Sequence, residues 1–397
     1  MNPVEYLLSI ETRGIKMGIN RTVELMQSCG NPQNTLQCIQ VAGTNGKGSV
    51  CAILANIFKK AGYKTGLFTS PHLVNLNERI RINGTPISNK EIEIFINKYK
   101  LQIETIKATF FETITTIACW YFNKERVDIA IMETGLGGRL DSVTICNPLV
   151  TILTPISLDH IEILGNSLES IAYEKAGIFK KDVPCFSSKQ DSAAKKILIK
   201  EAEKKNVELH FINNLNNKLK TNLPGKYQIQ NANLAISVLS VLTKFNISKS
   251  VIKDALNTIN WYGRNQIIKK KPYIIFDVAH NTAGFKSYIQ FYNTLNIVGK
   301  STLIIALQSR KNITSIIPTL ESTFDTIICT ETNGHNPMSI RDLKKLFNNN
   351  CINIKNPKKA IKFALNQINK NDSLTIIGSH CLAPSLSTVF NLSFDKC

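Results

Sequence analysis

No CxxC pair occurs anywhere in this chain, and its 10 cysteines fall at irregular positions. That excludes a disulfide framework and a cysteine-based metal cluster. Reduced thiols in a cytoplasmic enzyme are the simplest account. No apolar run is long enough to cross a bilayer. The longest, Phe110 to Phe122, contains Glu112 and falls short of the roughly 20 residues that a span needs, so it is expected to be a buried helix. The opening MNPVEYLLSIETRG has no basic stretch before a long apolar core, so no secretory signal is expected. There is also no arginine-rich arm, no zinc-finger spacing, no internal repeat and no low-complexity tract. Neither a nucleic-acid nor a membrane partner is therefore expected. Acids are scarce: 29 Asp and Glu against 48 Lys and Arg leave a formal charge of +19. Such a surplus attracts polyanions, ATP among them. It is spread along the chain, with short runs such as Lys269-Lys270-Lys271, and reads first as the drift of a chain rich in Lys, Asn and Ile.

What is present suits two packed domains. The chain has 397 residues, of which 43% are hydrophobic, more than one ordinary core uses. Strand and helix patterns alternate from residue 36 to about 257. Leu36 to Val41 reads as a strand, Ser49 to Ala61 as a helix and Thr65 to Thr69 as a strand. Ser70 to Ser88, with Pro, Asn and Gly, reads as a long functional loop. Helices follow at about 89–106 and 110–124, then strands Val127 to Met132 and Leu149 to Thr154, and a helix over about 167–178. Trp261 to Lys271, short and basic, reads as a linker. A second alternation follows it, with strand candidates at Ile274 to Val278, Thr302 to Leu307, Thr326 to Thr330 and Leu374 to Ile377. Such alternation predicts mostly parallel sheets covered by helices.

Gly43-Thr44-Asn45-Gly46-Lys47-Gly48-Ser49 lies between a predicted strand and a predicted helix. Its glycines let backbone N–H groups turn around phosphate oxygens, and the helix adds its positive end. Lys47 is placed to reach the β/γ-phosphates and Ser49 to approach Mg²⁺. Glu133 closes a buried strand, where a carboxylate can hold Mg²⁺ beside a nucleotide; a helix-facing salt bridge is the plainer alternative. Gly135, Gly137 and Gly138, with Arg139 and Asp141, form a loop that a substrate could approach closely. Asp159-His160 follows the strand 149–154. Lys175, on its own, is an ordinary lysine at a helix C-terminus. Gln228 and Asn231 begin a helix, Arg264 lies in the linker, and Asp277, His280 and Asn281 follow the first strand of the second half. Each of these marks a strand end or hinge where ATP could be clamped between domains.

Taken in order, GNPQ at 30–33, VAGTNGKGS at 41–49, FTSPHL at 68–73, ERIRING at 78–84, FFE at 110–112 and ETGLGGRLD at 133–141 resemble the folylpolyglutamate synthase and dihydrofolate synthase family of the Mur-ligase superfamily. SLDHIEILG at 157–165, EKAGI at 174–178, LPGKYQIQNAN at 223–233, GR at 263–264 and AHN at 279–281 complete the series. The resemblance implies an α/β fold: an N-terminal P-loop ATPase domain over 1–262, a linker over 263–271 and a smaller Rossmann-like domain over 272–397. It implies a monomeric ligase that uses ATP and Mg²⁺ to join L-glutamate to dihydropteroate or a reduced folate through an acyl-phosphate. Lys47 and its loop would bind the ATP phosphates. Ser70, Glu133 and His160 would bear on Mg²⁺. Gln228, Asn231, Arg264, Asp277 and His280 would hold ATP from the far side, and Arg79, Arg139 and Asp141 would meet the substrate. Lys175 matches a lysine that is carbamylated in the family; a carbamate turns a cation into an anion able to bind a second Mg²⁺. The chain departs from the family at Ser309-Arg310-Lys311-Asn312, where many relatives have Asp-Lys-Asp. It departs again at Val278, where the family has glycine, and at Tyr262, in place of the proline of Trp-Pro-Gly-Arg. These departures bear on glutamate binding and domain closure more than on ATP.

Overall fold

The protein is described here from a computed structural model covering residues 2–212, 219–334, 336–348 and 350–395. Strands β1 (Cys38–Ala42), β2 (Thr65–Phe68), β3 (Ile80–Ile82), β4 (Thr85–Pro86), β5 (Ile129–Glu133), β6 (Pro148–Leu153), β7 (Cys185–Ser188) and β8 (Leu209–Ile212) form one sheet. Their order is β4-β3-β2-β5-β1-β6-β7-β8. β1 and β5 are buried along their whole length, as unbroken apolar runs in a sheet covered on both faces must be. One face carries the helices Asn89–Ile106 and Phe110–Lys124, packed through Phe95, Ile114, Ile117 and Phe122. The other carries Lys47–Lys60 and Lys226–Ser237, packed through Ile53, Ile57, Ala232 and Leu234. β1 lies parallel between β5 and β6, with Val41 opposite Glu133 and Ala42 opposite Leu153. The three central strands therefore end side by side, and the segments after them share one edge.

The second sheet contains β9 (Gln266–Lys270), β10 (Tyr273–Phe276), β11 (Ser301–Ile305), β12 (Thr326–Cys329), β13 (Ile352–Asn353) and β14 (Ser373–Ile377). Their order is β13-β12-β11-β14-β10-β9. All neighbours run parallel except β9, which is antiparallel to β10. The α/β class with a large, mostly parallel sheet and a second, smaller one is as expected. No helix among the described residues is long and apolar enough to cross a membrane.

Three local expectations need correction. The segment 70–88 is not a plain loop: it contains the 3₁₀ turn Leu76–Arg79 and strands β3 and β4. Ile-Arg-Ile alternates as a strand should, but three residues are too few to register as a period. The expected linker 263–271 includes β9, whose Lys269 and Lys270 lie exposed at the sheet edge; charged lysines on an edge strand block further pairing. The helix expected over 167–178 ends at Lys175 and tightens to a 3₁₀ turn over Ala176–Ile178.

The helix Phe110–Lys124 starts at a capping box, in which Thr109 N–H donates to Glu112 Oε2 at 2.7 Å. Arg21 Nε also donates to Glu112 Oε1 and Oε2, at 3.0 and 3.1 Å. Glu112→Ala removes the acceptor for both donors and should cost roughly 2–3 kcal/mol. Urea unfolding followed by circular dichroism measures it, and an unchanged midpoint would mean that water replaces the carboxylate.

Candidate active site

Between β1 and the helix Lys47–Lys60 the backbone turns through Gly43 (φ 141°) and Gly46 (φ 93°). A Cβ at Gly43 would come within 1.9 Å of Thr154 Oγ1, and one at Gly46 within 2.7 Å of Asn231 Oδ1. Both positions therefore require glycine. No side chain caps the first turn of the helix, so its N–H groups and positive end are available to an anion. Lys47 Nζ folds back over this loop, donating to the carbonyls of Gly43 and Thr44 at 3.2 Å each. Gln228, fully buried, donates to Ser49 Oγ at 3.2 Å and accepts from Asn231 Nδ2 at 3.0 Å. The helix Lys226–Ser237 thus brings both expected residues to the loop.

Thr44 and Asn45 have protein partners of their own. Their backbone N–H groups both donate to Pro155 O, at 2.9 and 3.3 Å. Thr44 Oγ1 exchanges hydrogen bonds with the main chain of Ser157. These two residues tie the loop to the segment after β6 and do not present their amides to a phosphate.

Glu133 is 3% exposed, and its Oε2 accepts the Ser70 N–H at 3.1 Å. Burial pushes its pKa up, while Lys47, the Ser70 amide, Arg264 and Arg79 pull it back. Lys175 is 4% exposed and donates to Gly43 O at 2.7 Å. Burial, then the nearby Lys47 ammonium, pulls its pKa down to about 7. His160 lies at the mouth of the site. The surrounding protein and then the Lys311 cation draw its imidazole down to about 4. Lys47 is felt at Glu133, His160 and Lys175 alike, so these four share one electrostatic neighbourhood.

The second sheet closes over this edge. Asp159 Oδ1 accepts from Lys311 Nζ at 2.6 Å, and both side chains are under one-tenth exposed. Asp159 Oδ2 accepts from Asn281 Nδ2 at 3.1 Å and lies 3.4 Å from His280 Nε2. Burial alone would raise the Asp159 carboxyl, but His280 and Lys311 hold it far below the usual range. Asn281 and the loop residue Asn45 exchange amide hydrogen bonds at 3.1 and 3.2 Å. Asp277 accepts backbone N–H groups from Asn265 and Ala279, one on each oxygen. That fixes the turn presenting His280 and leaves a second lone pair on each oxygen. The Arg264 charge is felt at both Glu133 and Asp277 and favours both carboxylates. A cleft of about 840 Å³ runs between the sheets, lined by Asp159, His160, His280, Lys286, Arg310 and Lys311 among others.

The substrate residues fare unequally. Arg79 is buried, with Nε donating to His72 Nδ1 at 2.9 Å and the guanidinium 5.1 Å from the Phe110 ring centre. Its charge reaches Glu133. Asp141 accepts N–H groups from Leu136 and Val143, and a third from Gly135 reaches it. It staples the glycine turn, and burial raises it to about 6. Arg139 pairs with Glu174 at 2.5 Å and lies over Tyr173, partly in solvent. His72 and Lys311 went unassigned in the sequence, and Asn281 was read as a point for clamping ATP and not as a partner of Asp159 and Asn45. The His-Asn pair after β10 and the lysine kept within the altered 309–312 segment were the available signals.

Among the described residues no three His, Cys, Asp or Glu side chains gather as a metal cluster. The hard oxygens of Glu133, Ser70 and Ser49 fit Mg²⁺ nonetheless, because that ion takes one or two carboxylates and completes its shell with phosphates and water. The nucleotide has an unmet donor too. The Trp261 ring would lie 3.0 Å from a Cβ at Gly48, and its buried Nε1–H has no protein partner.

Residues 41–185 match the Mur ligase middle domain, and residues 263–380 match the Mur ligase glutamate ligase domain. The dihydrofolate synthase/folylpolyglutamate synthase of Bacillus subtilis is 36% identical over 304 residues, 68% of this chain and 71% of that protein. The probable dihydrofolate synthetase of Schizosaccharomyces pombe is 35% identical over 345 residues, 80% of this chain and 82% of its own. A solved structure of E. coli FolC in complex with DHPP and ADP superposes with a TM-score of 0.91 at 27% identity, covering 98% of each chain. The bifunctional folylpolyglutamate synthase/dihydrofolate synthase of Yersinia pestis, complexed with AMPPNP and Mn ion, gives 0.88 at 26%, covering 99% of this chain and 98% of that one.

Of the two tryptophans, Trp120 lies in the helix Phe110–Lys124 against Phe95, and Trp261 against the phosphate loop. Adding ATP should change intrinsic fluorescence in Trp120→Phe and leave Trp261→Phe silent. A signal carried by Trp120 would place the phosphates elsewhere.

Proposed function

This chain belongs to the dihydrofolate synthase/folylpolyglutamate synthase family of Mur ligases, and from that premise we infer how its own residues carry out the ligation. The enzyme is an ATP-dependent acid–amino-acid ligase, using ATP and Mg²⁺ to add L-glutamate to dihydropteroate, a reduced folate or both. The observation that carries the residue assignment is the convergence of Lys47, Glu133, His160 and Lys175 at the shared edge of β1, β5 and β6.

The acceptor carboxylate attacks the γ-phosphorus of ATP, forming an acyl-phosphate and ADP. The amine of glutamate then attacks the acyl carbon and expels phosphate. A carboxylate has no useful leaving group, and phosphorylation supplies one. The helix N-terminus and Lys47 stabilise charge on the transferring phosphoryl group. Glu133, Ser70 and His160 would hold Mg²⁺, which when bound neutralises the same oxygens as a Lewis acid. Gln228 and Asn231 support the loop, while Arg264, Asp277 and His280 face ATP from the second sheet. Arg79 stands on the acceptor side. Asp159, gripped by His280, Asn281 and Lys311, holds the two sheets together and keeps water from the intermediate. The first domain would run to about residue 262, with a hinge ahead of β9. The free cysteines are compatible with a cytoplasmic enzyme, where thiols stay reduced.

Lys175 takes a special place in this reading. Its amine is half neutral near pH 7, and only the neutral amine adds CO₂. Carbamylation would replace the repulsion between Lys175 and Lys47 by attraction and supply an anionic metal ligand. With ¹³C-bicarbonate, wild-type protein should give a carbamate resonance that Lys175→Met lacks. A spectrum identical in both would remove Lys175 from the metal site.

The activity itself is read as product mass and ADP release with Mg-ATP and glutamate, offering dihydropteroate and tetrahydrofolate in separate tubes. A product one glutamyl unit heavier, with matching ADP, is expected. Glu133→Gln should lower turnover by about a hundredfold or more without changing the unfolding midpoint greatly. ADP without a heavier product would instead describe a hydrolase, and near-normal Glu133→Gln turnover would sink the metal assignment.

A further inference from the structure

Arg81, in the centre of β3, is a buried cation with no acid for a partner among the described residues. It is 3% exposed. Its Nε donates to Glu78 O at 3.0 Å and its Nη2 to Phe394 O at 3.2 Å, while Nη1 donates to Asp395 O. A guanidinium can be buried only if its donors are matched. Here two of the three carbonyls come from a segment more than 300 residues further along the chain.

That segment is itself held in place. After the helix Ala383–Phe390 the chain reverses at Asn391 (φ 52°). Ser387 Oγ donates to Leu392 O at 2.7 Å, and Leu392 N–H donates back to Ser387 O at 3.1 Å. Phe394 is 2% exposed and meets Tyr262 edge-on at 5.3 Å, with Phe276 of β10 at 6.4 Å. Asn75 Nδ2 donates to Asp395 Oδ1 at 2.9 Å. Leu73 and Val74, from the first-sheet loop, pack into the same apolar cluster as Phe394.

The loop so gripped carries much of the site. Ser70 N–H is on Glu133. Glu78 accepts the N–H groups of Leu73, Val74 and Asn75, at 2.9, 2.9 and 2.7 Å, which shapes the turn after His72. Arg79 holds His72. The phosphate loop, by contrast, is fixed to Pro155, Ser157 and Asn281, and none of these touches residues 392–395.

We propose that the segment Leu392–Asp395, anchored by Phe394, is a positioning element for the acceptor carboxylate: through Arg81 it sets the turn 72–82, and with it His72 and Arg79, whereas Ser70 is held separately by Glu133. The proposal rests on the ligase reading for its kinetic consequence. Its structural part stands apart from that reading.

The test uses the full chain with Phe394→Ala, Phe394→Leu and Arg81→Met. In Phe394→Ala the KM for the acceptor should rise by roughly tenfold or more while the KM for ATP rises by far less. Phe394→Leu, which keeps an apolar anchor, should recover most of the loss. Arg81→Met should match Phe394→Ala, and the double variant should be no worse than either, since both break one connection. Amide exchange should quicken over 72–82 in Phe394→Ala and stay unchanged over 43–49. A lowered unfolding temperature with an unchanged acceptor KM, or equal rises in both KM values, would overturn the proposal. If wild-type protein makes no glutamylated product, the ligase reading fails, and the exchange pattern alone decides whether the segment controls the loop. Should Phe394→Ala not fold, Arg81→Met carries the same comparison.

Discussion

Two ammonium groups share one carbonyl oxygen at the centre of this molecule: Lys47 and Lys175 both donate to Gly43 O, at 3.2 and 2.7 Å. Like charges so close in a site screened from water repel strongly. The repulsion can be relieved if Lys175 gives up its proton; burial first, and then the Lys47 ammonium, pull its pKa down to about 7. It can also be relieved by an anion. Every other feature of the edge favours the second course, because the uncapped helix start adds positive potential at the same point. Glu133 and Asp141 are buried acids whose charge burial disfavours and Lys47 restores. The loop, the strand-end carboxylate and the buried lysine are thus terms of one charge balance.

The same logic joins the two sheets. Asp159 stands just after β6 and would be costly to bury alone. It is matched on both oxygens from the other side, by Lys311 on one and by Asn281 and His280 on the other. Asn45 adds a direct amide contact between the phosphate loop and Asn281. Closure is therefore specified by hydrogen-bond geometry as well as by apolar contact. A change at the phosphate loop is felt one bond away by the residue that starts the helix Thr282–Tyr292.

What could be read in the sequence follows from this division. The glycine loop, Glu133 and the strand alternation are local: a few adjacent residues with fixed dihedral or period demands suffice to specify them. Gln228, Asn231, His280 and Lys175 were each weak signals on their own, to which the family resemblance gave roles. The contacts of Thr44, Asn45, Arg139 and Asp141 with Pro155, Ser157, Glu174 and the 135–143 backbone could not be read from the sequence, because they are decided by tertiary approach or by turn geometry. An aspartate after a glycine turn reads equally as a ligand or as a staple for backbone amides. Strands β3 and β9 escaped notice for a different reason: three residues, or a run ending in lysines, lack the amplitude that a hydrophobic period needs.

The segment Ser309-Arg310-Lys311-Asn312 shows how a motif can be altered while its electrostatic role survives. The lysine remains and makes the buried contact to Asp159. The residue before it, Arg310, now faces Glu162 of the first half at 3.7 Å, both well exposed. An acid at 310 would lie against Glu162 and push the sheets apart, whereas arginine draws them together, weakly because water screens the pair. The second-sheet side of the cleft is therefore uniformly basic here, with His280, Lys286, Arg310 and Lys311, and the first-sheet side supplies the acids, Asp159 and Glu162. Sign complementarity across the cleft does not require the acidic residues that flank the lysine in many relatives. It requires that the two walls differ in sign, and this chain meets that condition with the basic wall on its second domain.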